Sequence, residues 1–117
     1  MRKFKKIIKE IFSKKRTIEN INNISYTKMK EILKENSDII ILDVRSPQEY
    51  NEGHINGAIN IPEYEIFTKA NNILQNRNLK IIVYCKSGNR SKKAIKTFKK
   101  LGYENLYNLE GGIEAIN

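Results

Sequence analysis

The chain has one cysteine, one histidine, two prolines and no tryptophan in 117 residues. A lone cysteine cannot close an intramolecular disulfide, so a disulfide-stapled secreted scaffold is excluded. One Cys and one His also fall short of the four Cys/His ligands that a structural zinc site usually takes. No metal or other cofactor is expected. No apolar run approaches the roughly 18 residues of a transmembrane helix. The amino terminus begins with positive charge, but lysines interrupt its apolar pairs, leaving no apolar stretch of about 7–15 residues that a signal peptide needs. A cytoplasmic protein is expected, at most peripheral at the inner face of a membrane.

What is present in excess is positive charge, +9 overall, and it is unevenly placed. Residues 1–16 carry eight Lys or Arg against a single acid, Glu10, while residues 17–117 are close to balance, at +2. The basic character therefore belongs to a short arm, and a nucleic-acid-binding domain is not indicated. Within the arm Phe4, Ile7, Ile8, Ile11 and Phe12 recur at helical spacing, with lysines between them. This pattern predicts a basic amphipathic helix. Such a helix suits an anionic membrane surface or a partner protein, or packs on its own domain. Residues 17–23 read as a linker, and 24–117 as a single domain of a size that can bury a modest core.

Strand-like and helix-like segments alternate through that domain, which predicts an α/β fold. Ile21–Ile24 reads as a short strand. Ser25 suits the N-cap of a helix carrying Met29, Ile32 and Leu33 on one face. Ile39–Leu42 and Ile81–Tyr84 are continuous, mostly β-branched runs, the pattern of strands buried on both faces. Pro47 suits the first turn of a short helix through Tyr50, and Ala58–Ile61 is strand-like. Ile66, Phe67, Ala70, Ile73 and Leu74 form a helical stripe. Ala94, Ile95, Phe98 and Leu101 form another, with lysines opposite and Gly102 at its end. Asn105–Leu109 reads as a last strand.

The chemistry concentrates where the second buried strand ends. Cys85 is the first residue of the loop Cys85-Lys86-Ser87-Gly88-Asn89-Arg90-Ser91, and a helix follows. In an open parallel sheet, ligands bind beyond the carboxyl ends of the strands. A helix amino terminus there presents backbone N–H groups that favour an anion, and a thiolate is one. Lys86 and Arg90 add positive charge, and Gly88 allows backbone angles closed to other residues. An inert small core residue is the alternative reading of a cysteine after a buried strand. The polar loop favours a reactive thiol.

Three stretches carry a family resemblance. Leu42-Asp43-Val44-Arg45-Ser46-Pro47-Gln48-Glu49-Tyr50, continued by Gly53-His54-Ile55-Asn56-Gly57-Ala58-Ile59-Asn60-Ile61-Pro62, resembles the first signature of rhodanese domains. Val83–Ser91 resembles their active-site loop, and Leu109-Glu110-Gly111-Gly112-Ile113 their closing motif. The resemblance covers about Ile24 to Ile116. It implies a small, mostly parallel five-stranded sheet with helices on both faces, and a single-domain sulfurtransferase.

On that resemblance Cys85 takes a sulfane sulfur from thiosulfate or a persulfide and holds it as Cys85–S–SH. The backbone of Lys86 to Arg90 cradles that sulfur, and Ser91 caps the following helix or bonds within the loop. A thiol, cyanide or protein acceptor then removes the sulfur. Asp43 and Arg45 brace the site, and His54 is a turn residue capping backbone groups, not a base. The spacing Cys-x4-Arg is one residue shorter than the Cys-x5-Arg loop of related phosphatases, which ranks phosphatase chemistry lower. A non-catalytic interaction module is the other alternative. Ile116 stands near a place where the family commonly has Trp, so looser packing is expected there.

Overall fold

The computed structural model describes residues 21–116. The helix expected over 1–16, and the first part of the linker, lie outside these residues. Among the described residues there are five strands: β1 (Asn23–Ile24), β2 (Ile40–Asp43), β3 (Ile59–Asn60), β4 (Ile81–Tyr84) and β5 (Leu106–Leu109). They form one sheet in the order β1-β5-β4-β2-β3, and every pairing is parallel. The expectation of a mostly parallel sheet is thereby sharpened to a wholly parallel one. Helices supply the crossovers that parallel neighbours require: α1 (Tyr26–Glu35), α2 (Pro47–Glu52), α3 (Ile66–Ile73) and α4 (Asn89–Lys100).

Alternation along the central strands explains their unbroken apolar character. Leu42, Ile81, Val83 and Leu106 face one core, closed by Ile66 and Ala70 of α3 and by Ala94, Ile95 and Phe98 of α4. Ile41, Ile82, Tyr84 and Leu109 face the other, closed by Met29 and Leu33 of α1 and by Tyr50 of α2. Both faces are covered, so both registers of the alternation are mostly apolar.

Local signals set the helix starts. The Ser25 hydroxyl accepts from the Lys28 N–H at 3.1 Å, capping α1. At α2 the Ser46 hydroxyl accepts from the Glu49 N–H at 3.1 Å, and Glu49 Oε1 accepts from the Ser46 N–H at 3.2 Å. That is a reciprocal capping box, with Pro47 in the first turn.

The α3 stripe is narrower than its sequence suggests. Ile66, Ala70 and Leu74 are buried, but Phe67 is 70% and Ile73 50% exposed. Centred on Ala70, the helical period places Phe67 and Ile73 about 60° to either side. Only the middle of the stripe meets the sheet.

Candidate active site

The register of β2 against β4 decides which loops meet. Asp43 pairs with Tyr84, and the Val44 N–H donates to the Tyr84 carbonyl at 3.0 Å. The segments that leave the two strands, Val44-Arg45-Ser46 and Cys85-Lys86-Ser87, thus emerge side by side at one edge of the sheet.

Cys85 is 1% exposed and belongs to the core beneath α4. The thiol that the loop marks as reactive is covered, and backbone N–H groups are aimed at its sulfur. The Gly88 N–H donates to Sγ at 3.0 Å. Gly88 holds φ of 107°, in the left-handed region, immediately before α4, which a β-carbon would disfavour. The left-handed turn brings Gly88 N–H back over the sulfur. Burial pushes the thiol pKa up. Hydrogen bonds from the Ser91 hydroxyl and from the N–H groups of Ser91, Gly88 and Ser87 outweigh it, and the net shift is downward from the usual thiol range.

Ser91 is fully buried, and its Oγ lies 3.5 Å from Cys85 Sγ, 3.0 Å from the Gly88 carbonyl and 2.5 Å from Asn108 Oδ1. One hydroxyl proton serves one acceptor well. With a neutral thiol, S–H donates to Ser91 Oγ and the hydroxyl donates to Asn108 or Gly88. With a thiolate, the hydroxyl turns to the sulfur. Asn108 is fixed in turn, its Nδ2 donating to Asn23 Oδ1 at 2.8 Å.

The remaining loop residues divide by exposure. Lys86, Ser87 and Asn89 are exposed, and Arg90 is partly so. Lys86 Nζ lies 3.9 Å from Glu114. Arg90 Nη1 and Nη2 donate to Glu49 Oε1 and Oε2 at 2.7 and 2.9 Å, a fork-to-fork ion pair between the loop and α2. Arg90 lowers the Glu49 pKa to about 2, with burial opposing and the Ser46 N–H and hydroxyl assisting.

Asp43 and Arg45 form a buried pair. Asp43 accepts from Arg45 Nε and Nη2, the latter at 2.7 Å, and from the Arg45 backbone N–H at 2.9 Å. Arg45 Nη2 also donates to the Gly53 carbonyl at 2.6 Å. The Tyr84 hydroxyl donates to Asp43 Oδ2 at 2.7 Å and accepts from the Ile55 N–H at 3.0 Å. Burial, then Asp43, raises the Tyr84 pKa, so this hydroxyl stays protonated. The network ties the turn 53–55 to the ends of β2 and β4. His54 is exposed: Nδ1 pairs with the Tyr50 carbonyl at 2.8 Å and the ring stacks on Tyr50, centroids 3.8 Å apart.

A second clamp comes from the carboxyl-terminal end. The Ile113 and Glu114 N–H groups donate to the Cys85 and Lys86 carbonyls at 2.9 and 3.1 Å. A β-carbon on Gly112 would stand 2.5 Å from both of those carbonyl oxygens, so only glycine permits this approach. Ile116, at the place expected to be loose, is half-buried against the second core.

Sequence reasoning missed Glu49, Asn108, Tyr84 and the Gly112 clamp as parts of this region. Glu49 carried a signal in its capping-box spacing from Ser46. Asn108 carried a fainter one, as a polar residue inside a strand between Leu106 and Leu109. Nothing local pairs Glu49 with Arg90, 41 positions away.

A parallel α/β sheet with a hydrogen-bonded thiol at the end of a central strand defines the class, and comparison with known proteins agrees. The rhodanese-like domain model matches residues 25–117, so the chain belongs to the rhodanese-like family. A sulfurtransferase from Allochromatium vinosum is 32% identical over 95 residues, covering 81% of this chain and 87% of that protein. The thiosulfate sulfurtransferase PspE of Escherichia coli is 35% identical over 75 residues, covering 64% and 71%. The crystal structure of a rhodanese-related protein from Thermoplasma volcanium matches with a TM-score of 0.69 at 37% identity, covering 80% of this chain and 88% of that one. Other relatives are longer. The chain spans 50% of YrkF of Bacillus subtilis and 32% of the tRNA uridine(34) hydroxylase of Buchnera aphidicola.

Proposed function

We propose that the protein is a sulfurtransferase that moves a sulfane sulfur through a persulfide on Cys85. The observation that carries this reading is the Gly88 N–H donating to Cys85 Sγ at 3.0 Å. A buried thiol with no donors would stay protonated and inert. Here N–H groups at the start of α4 stabilise negative charge on sulfur.

The reaction runs as two displacements. The Cys85 thiolate attacks the outer sulfur of a donor, the S–S bond of the donor breaks, and the donor leaves as a thiolate, or as sulfite if it is thiosulfate. The sulfur now on Cys85 carries the negative charge or a proton, and the loop N–H groups of residues 86–90, with Ser91, hold it. An acceptor thiolate, cyanide or a protein thiol attacks that outer sulfur, and the Cys85 thiolate is restored. The sulfane sulfur moves without net oxidation or reduction. Asp43, Arg45 and Tyr84 take no proton in this scheme and fix the backbone beside the loop.

The test is an intact-mass measurement after exposure to thiosulfate or cysteine persulfide. One added sulfur atom on wild type, removed by a thiol acceptor and absent from Cys85→Ser, is expected. A wild-type mass unchanged by every sulfane donor would end the reading.

A further inference from the structure

We propose that Glu49 is a specificity-determining residue that turns the site toward persulfide donors, R–S–SH, and away from the thiosulfate dianion. The proposal rests on the sulfurtransferase reading and adds the class of donor. Thiosulfate brings two negative charges and three sulfonate oxygens that must be held while its outer sulfur is attacked. An alkyl persulfide brings carbon at the corresponding place and at most one charge at its sulfane end. The two donors therefore ask different things of the cations around Cys85.

Those cations are already matched by acids. Arg90, the guanidinium within the loop, spends its fork on the Glu49 carboxylate, at 2.7 and 2.9 Å. Arg45 is committed to Asp43 and to the Gly53 carbonyl. Lys86 lies beside Glu114. Three cations face three carboxylates, and a sulfonate would compete with an acid for each of them. Glu49 is held in place as well as paired. Its Oε1 also accepts from the Ser46 N–H and hydroxyl, at 3.2 and 3.1 Å, so the capping box of α2 aims the carboxylate at Arg90. Arg90 in turn stands in the first turn of α4, two positions after the Gly88 whose N–H meets the Cys85 sulfur. A guanidinium released from Glu49 would thus be available to an anion arriving at the sulfur. The group transfer is balanced with either donor: Cys85 S⁻ forms the new S–S bond, and RS⁻ or sulfite departs with the electron pair of the old one.

Glu49→Gln separates charge from structure, because glutamine also serves in a capping box. The measurement is single-turnover loading of Cys85, followed by intact mass, across a concentration series of thiosulfate and of cysteine persulfide. In Glu49→Gln the half-saturating thiosulfate concentration is expected to fall about tenfold, the worth of one charge-assisted hydrogen bond. The ratio of thiosulfate to persulfide loading should rise by the same factor and become more salt-dependent. Glu49→Ala must move the donor ratio in the same direction even if its helix is weakened. A purely structural Glu49 would alter loading from both donors in parallel, and an unchanged ratio in both variants overturns the proposal while leaving sulfur transfer standing. Absence of loading from both donors in wild type overturns this proposal and the sulfurtransferase reading together.

Discussion

A thiol that is 1% exposed ordinarily resists ionisation, since burial penalises the anion. Cys85 goes the other way because its neighbours are hydrogen-bond donors. Ser91→Ala removes the side-chain donor that the described residues offer the sulfur. It should therefore raise the Cys85 pKa, moving the pH profile of iodoacetamide alkylation to higher pH and slowing alkylation at neutral pH. An unmoved profile would show that the backbone N–H groups act alone. Gly112→Ala attacks the clamp on the same loop. Its β-carbon would meet the Cys85 and Lys86 carbonyls at 2.5 Å, at a φ of 62°. A loss of about 1–3 kcal/mol in urea unfolding is expected, together with slower sulfur loading.

At the scale of elements, α2 and the active-site loop are joined by the Glu49–Arg90 pair. The folded Glu49 pKa, about 2, lies below the 4.5 usual for a glutamate carboxyl. The unfolded chain therefore binds the proton more readily. The stability this pair contributes is present above about pH 4.5 and is lost as pH falls toward 2. Both side chains are partly exposed, 29% for Glu49 and 40% for Arg90, so screening limits the contribution to about 1 kcal/mol. Urea midpoints measured across that acid range should fall less in Glu49→Gln than in wild type. Helix α3 offers a sharper contrast. Ile66→Ala should cost about 2–5 kcal/mol, whereas Phe67→Ala, one position on, should stay within about 0.5 kcal/mol. Equal costs would mean that the exposed flank of the stripe is covered in solution.

At the scale of the molecule, the parallel sheet collects the ends of β2 and β4 at one edge, and the closing turn Gly112–Ala115 folds onto the same edge. The arm 1–16 stands apart from this arrangement in sequence. Its removal is expected to leave sulfur loading of Cys85 unchanged in the mass assay. Co-sedimentation with anionic vesicles, with and without the arm, tests its affinity for a membrane surface; equal pelleting of both forms would exclude that role.

The strands and helices of the domain were legible because their causes are local. Continuous apolar runs mark strands covered on both sides, Ser25 and Pro47 mark helix starts, and the loop 85–91 announces an anion-binding turn by its own residue types. That every strand pairing is parallel, and that Phe67 and Ile73 flank a stripe without joining the core, depends on how elements pack. The Glu49–Arg90 pair and the Ser91–Asn108–Asn23 chain of hydrogen bonds join residues far apart in sequence. Amino-acid order alone determined the candidate nucleophile and the turn that holds it, because spacing along one backbone sets both. Only the tertiary structure decided that the sulfur is covered and that its arginine is already paired, because burial and ion pairing depend on which distant segments arrive beside it.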